Sequence, residues 1–164
     1  MKKRVIKSLL TLSIILIGGT LSAQVVTSEP PYPTVSDSII VYFHADRGDG
    51  GLAGYSGSDI YAHTGLITEN STGPTHWQYV IAEWDENINE AKLTKVNSNL
   101  WKLPIGDVRQ FYGSLSEDGP IPGDEKILQL AFVFRNSNGD STGRAEGGGD
   151  IFMDLYEPGL SAVL

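Results

Sequence analysis

Between residues 38 and 156 the chain runs in short apolar stretches separated by clusters of glycine, asparagine, aspartate and serine. Ile39, Val41 and Phe43 alternate with Ile40, Tyr42 and His44, a β-branched and aromatic pattern that predicts a strand. Asp46 to Gly57 is a Gly-rich loop, and Asp59 to Thr68 returns to strand chemistry before the turn cluster Glu69 to Pro74. His76 to Trp84 alternates large residues, with Trp77, Tyr79 and Ile81 on one parity. Ala91 to Val96 and Leu100 to Ile105 flank Asn97, Ser98 and Asn99, which predicts a hairpin. Lys126 to Arg135 is the strongest strand signal, with Leu128, Leu130, Phe132 and Phe134 on one face. Asn136 to Gly149 is a polar connection, and Asp150 to Tyr156 closes the set. One helical turn is expected at Gly106 to Gly113, with Asp107 as N-cap and Gly113 as stop. About seven short strands at this spacing predict an all-β chain, an immunoglobulin-like antiparallel sandwich with one short helical turn.

The ends of the chain read differently. Lys2, Lys3, Arg4 and Lys7 precede a run that is almost unbroken apolar from Leu9 to Ile17, and small residues follow to Ala23. That is the layout of a secretory signal peptide over residues 1–23, and the run is short of the roughly 20 residues a spanning helix needs. An uncleaved anchor is the alternative. The expectation is an exported domain, secreted or held at the cell surface or in the periplasm, without a membrane span after cleavage. Residues 24–37 carry Pro30, Pro31 and Pro33 and are expected to be a stiff extended lead-in, with the sandwich over 38–157. Residues 158–164 form a tail: either a last edge strand ends there or a following module begins.

Charge and composition then narrow the chemistry. The formal net charge is −8, and cleavage after Ala23 removes four positive charges and no negative ones, taking it to −12. An acidic domain repels phosphate backbones, so nucleic acid is a poor partner. With no cysteine there is no disulfide framework, thiol nucleophile or thiolate metal site. His44, His63 and His76 have no Gly-x-Ser-x-Gly elbow beside them and lack the i, i+4 spacing of a zinc helix. Asp85 and Glu86 sit in loop sequence, and spacing alone does not select a carboxylate pair for glycoside hydrolysis. As metal candidates, Asp46-x-x-Asp49 sits in a Gly-rich loop and Asn136-x-Asn138-x-Asp140 resembles the oxygen spacing of a calcium loop, but the latter lacks the required Gly and the closing Glu, and a hairpin turn accounts for it. No enzyme activity, cofactor or metal is expected; the alternative is a glycoside hydrolase fragment lacking its catalytic barrel.

Binding remains. Sugar rings stack on aromatic faces, and their hydroxyls need in-plane polar partners. Trp77, Trp84 and Trp101, with Tyr55, Tyr61 and Tyr79, are the available platforms. A sandwich commonly buries a tryptophan, so each is read either as platform or as core. His63 is read either as a structural histidine or as a ligand contact. Strict alternation puts Trp77 and Trp84 on opposite faces; a bulge at Ala82-Glu83 or a bent strand would bring them together.

Tyr61-Ala62-His63-Thr64-Gly65, Trp77, Ala82-Glu83-Trp84, Leu130 to Arg135 and Asp150-Ile151 together resemble the N-terminal domain found ahead of secreted bacterial α-amylase-type glycoside hydrolases, which in turn resembles starch-binding modules. The resemblance spans roughly Ser38 to Tyr156. It implies a non-catalytic module that binds α-glucan, or a ligand-free spacer, in a protein that also carries a catalytic domain. It also implies carbohydrate contacts at His63, Trp77 and Trp84.

Overall fold

The computed structural model describes residues 23–159. The stretch read as a signal peptide, up to residue 22, and the end of the tail, 160–164, lie outside the described residues. The chain forms a β-sandwich of two antiparallel sheets. Nine strands are described: β1 (Val26–Glu29), β2 (Ile39–His44), β3 (Ile60–Thr68), β4 (Gln78–Ile81), β5 (Thr94–Lys95), β6 (Leu100–Gly106), β7 (Ile127–Asn136), β8 (Thr142–Gly143) and β9 (Ile151–Asp154). One sheet has the order β1-β2-β6-β5; the other has β4-β3-β7-β8, with β9 also paired to β7.

The facing sides of the sheets make the core. Ile39, Val41 and Phe43 of β2 lie beside Trp101, Leu103 and Ile105 of β6, and all six are buried. Across the gap stand Ile60, Ala62 and Leu66 of β3 with Leu130, Phe132 and Phe134 of β7. Phe43 stacks on Phe134 with ring centroids 4.0 Å apart, joining the two sheets. Period-two alternation supplies this face directly.

Four expectations need correction. Val26–Glu29 is not merely an extended lead-in: it pairs with Ile40–Phe43 as an edge strand. Its four residues are too few to show alternation against the prolines that follow. Thr142–Gly143, inside the polar connection, pairs with β7 in the same unannounced way. The helix α1 (Val108–Leu115) starts after Asp107, whose carboxylate accepts from the Gln110 amide at 2.8 Å, but it runs on through Gly113. Gly113 is there because the Pro120–Ile121 backbone passes within 3.1 to 3.2 Å of where its Cβ would stand. Leu128 does not join Leu130, Phe132 and Phe134. The register slips between Ile67 and Thr68, so Ile127 turns into the core and Leu128 is exposed.

Candidate functional site

The outer face of the β3–β7 sheet departs from the usual solvated pattern. Tyr61 pairs with Arg135, His63 with Val133 and Gly65 with Ala131, and most of these outward residues are buried or half-buried. Trp77, Val80 and Trp84, from the segment around β4, lie against Gly65, His63 and Arg135. Leu66 pairs with Gln78 and Thr64 with Ile81, so Gly65 alone stands opposite two residues, Tyr79 and Val80. That is a bulge, and the extra residue reverses the parity of the strand. It lies at Tyr79–Val80, upstream of the position expected from sequence. Tyr79 and Ala82 take φ of 50° and 59°, so the backbone bends on both sides of Val80–Ile81. Gly65 allows the close approach: a Cβ there would stand 3.0 Å from Val80 Cγ2 and 3.3 Å from Trp77 Cβ.

The bent segment is anchored from below. The Tyr79 amide donates to Asp118 Oδ2 at 2.9 Å and its hydroxyl donates to Glu125 Oε2 at 2.7 Å. Burial and the Glu125 carboxylate push the Tyr79 phenol up to about 12, so it stays a proton donor.

The result brings His63, Trp77 and Trp84 together. The His63 and Trp77 rings stack with centroids 5.5 Å apart, and Trp84 meets His63 edge-on at 5.2 Å. The alternation argument, which separated the two indoles, fails because it assumed a regular strand. Trp84 is 37% exposed and Trp77 half-buried, whereas Trp101 is wholly buried in the core. Trp77 Nε1 donates to the Pro74 carbonyl at 3.0 Å, which fixes its ring. His63 Nδ1 is sealed from solvent without a hydrogen-bond partner. Burial holds the His63 imidazole below its ordinary value, and the Arg135 charge adds to the effect. The ring is therefore neutral at pH 7.

These three side chains line a cleft of about 390 Å³ with Val80 and Val133. Thr75, His76, Arg144 and Asp150 supply the polar part of its lining. Arg144 and Asp150 form an ion pair at 3.1 Å, and the Arg144 guanidinium lies 5.7 Å from the Trp84 ring centre. Arg144 is itself fixed, since its amide donates to Asp49 Oδ1 at 3.0 Å and its carbonyl accepts from the Asp49 amide at 3.1 Å. That is the work of Asp49 here, and Asn136 to Asp140 is the β7–β8 turn, closed by Asn136 Nδ2 donating to Asp140 Oδ1 at 2.6 Å. Among the described residues no group of three or more His, Asp or Glu side chains is placed to hold a metal ion.

Sequence reasoning did not assign Thr75, His76, Arg135, Arg144 or Asp150 to this site. Arg135 is 2% exposed, behind Trp84. Its guanidinium donates to Asn87 Oδ1 at 2.8 Å, to the Asn136 carbonyl at 3.1 Å and to the Glu86 carbonyl. It thereby ties the loop after Trp84 to the end of β7. An arginine at the end of a strongly apolar strand was the available signal. No family model and no curated protein matches this sequence. The site is accordingly read from its own geometry: two indoles and a neutral imidazole beside a fixed guanidinium–carboxylate pair. Flat apolar surface lies next to oriented donors and acceptors, and among the described residues the cleft lining holds one carboxylate, Asp150, paired with Arg144.

Proposed function

We propose that this chain is a non-catalytic carbohydrate-binding module of an exported protein, with the cleft at His63, Trp77 and Trp84 as its site. The observation that carries the reading is the convergence of two tryptophans on one histidine across a bulged strand, at the edge of an open cleft. A sandwich core has no use for this arrangement, because it stands on the outer face of the sheet. Sugars match it: their C–H faces stack on indole, and their hydroxyls meet Arg144, Asp150, Thr75 and His76. The resemblance to domains preceding α-amylase-type enzymes supports α-glucan as the class of sugar, and a covalently linked catalytic domain as the module's partner.

A second reading, a ligand-free spacer, draws on the contacts the indoles already make. Trp84 lies against the Arg135 and Arg144 guanidinium groups as well as His63. Titration calorimetry with maltoheptaose, followed in parallel by tryptophan fluorescence, separates the two. The module reading expects weak binding that falls about tenfold in Trp84→Ala and in Trp77→Ala while both variants still unfold cooperatively. Absence of both heat and fluorescence change in the wild-type protein leaves the spacer.

A further inference from the structure

We propose that the sugar site does not end at the indole cleft but continues along the open side of the sandwich to Tyr156, so that the module holds an extended oligosaccharide. This rests on the carbohydrate reading above and adds to it the length and course of the ligand.

β1 and β9 are strands of different sheets, and they come together on the same side of the sandwich. Between them lies a second hollow of about 310 Å³. Thr27 and Ser28 line it from β1, Asp150 and Asp154 from the β9 side, and Pro33 and Tyr156 from its aromatic end. Asp150 borders this hollow and the indole cleft alike. The two therefore share Asp150, the residue that Arg144 pairs with. From Asp150 to Tyr156 the extended chain covers roughly 20 Å, at about 3.3 Å per residue.

The surfaces at the two ends are of one kind. Among the described residues, the exposed large aromatic side chains are Trp84, Tyr32 and Tyr156. Trp84 stands at one end of the path. Tyr156, 40% exposed, and Tyr32, 49% exposed, stand at the other. The two tyrosines meet edge to face, with centroids 5.5 Å apart and planes at 89°. In that arrangement neither ring covers both faces of the other, so aromatic surface stays open to a sugar. The Tyr156 backbone is held in place, its amide donating to the Pro33 carbonyl at 2.8 Å. Between the ends the lining mixes the polar Thr27, Ser28, Asp150 and Asp154 with the apolar Val25, Ala145 and Phe152, a combination that suits the C–H faces and hydroxyls of a sugar chain.

The test compares maltotriose with maltoheptaose by calorimetry on the full chain. In the wild-type protein the longer sugar should bind about tenfold more tightly, the gain expected from one more stacked ring. Tyr156→Ala should remove that gain and leave maltotriose unchanged, whereas Trp84→Ala should weaken both. Heteronuclear NMR of the wild-type protein gives a second readout that needs no variant: amides of Phe152, Asp154 and Tyr156 should shift with maltoheptaose and stay still with maltotriose. Equal affinities for the two sugars with a Trp84 dependence intact, or silent β9 amides, would overturn the extension and leave the indole site standing. That is also the outcome if the hollow takes a peptide strand instead. No binding of either sugar removes the carbohydrate reading itself.

Discussion

The face of β3 opposite His63 carries a hydrogen-bond chain whose polarity can be deduced, and it gives the sharpest test of how the site is supported. Thr64 is fully buried; its hydroxyl donates to the Ala131 carbonyl at 2.7 Å. A threonine has one proton to give. The Tyr112 hydroxyl, 2.7 Å from the same oxygen, must then be the donor in that second contact. Burial drives the Tyr112 phenol far up, which keeps the proton on it. The chain thus runs from α1 through β3 to β7. Thr64→Val leaves the Tyr112 hydroxyl buried without an acceptor, which costs about 2 kcal/mol. Tyr112→Phe leaves the Thr64 proton satisfied and costs about 1 kcal/mol. Removing both partners leaves no stranded donor, so the double variant should be no worse than Thr64→Val alone. The coupling is then about 1 kcal/mol or more. Urea unfolding monitored by tryptophan fluorescence measures all three, and each kcal/mol corresponds to about 3–4 °C in Tm for a domain of this size. Costs that add within about 0.5 kcal/mol would refute the chain, and so would a Tyr112→Phe variant less stable than Thr64→Val.

Two further outcomes follow from the packing and from the histidines. Gly143→Ala puts a Cβ 2.5 Å from Phe43 Cζ and 3.3 Å from Leu52 Cδ1, against the ring that stacks on Phe134, so it should lose about 1–3 kcal/mol; a thermal melt with unchanged Tm contradicts this. Burial lowers both His63 and His44 below their ordinary value of 6.5, with Arg135 and Arg47 respectively adding to the effect. The unfolded chain therefore takes up protons first as pH falls, and the two histidines contribute full stability above about pH 6.5 and progressively less below it. The urea midpoint should drop between pH 7.5 and 5.5, and His44→Gln with His63→Gln should flatten that slope; a midpoint that rises over this range reverses the sign.

The core was legible in the sequence because it obeys a simple period. Ile39, Val41 and Phe43, or Leu130, Phe132 and Phe134, face one way in any regular strand. The site was legible only as a set of names. His63, Trp77 and Trp84 were named, but their convergence depends on an extra residue opposite Gly65 and on two left-handed backbones at Tyr79 and Ala82. Neither residue type advertises that conformation, and at Tyr79 the groups that hold it, Asp118 and Glu125, lie far along the chain. Arg144 escaped notice for a related reason. It sits in a Gly-rich stretch whose composition says turn, and only the tertiary fold carries it beside Trp84, where it pairs with Asp150, a residue read from sequence only as the start of the last strand. The edge strands β1 and β8 were hidden by brevity, since four and two residues are too few to set a period.

Over Ile60–Leu66 of β3 and Leu130–Phe134 of β7, even-numbered side chains hold the sandwich together, and the odd-numbered ones face outward, His63 and Val133 among them as part of the cleft floor. A single inserted or deleted residue near the start of β3 would exchange the two sets, sending Tyr61 and His63 inward while Ala62 and Thr64 surfaced. Length variation in these strands is therefore tolerated only where a bulge absorbs it, as opposite Gly65 and at Thr68. The segments around Trp77, Trp84 and Arg144 lie outside regular strands and can change in length without that penalty. Change in the shape of this cleft among descendants of the chain would therefore be written in those loops, on a back wall held in register.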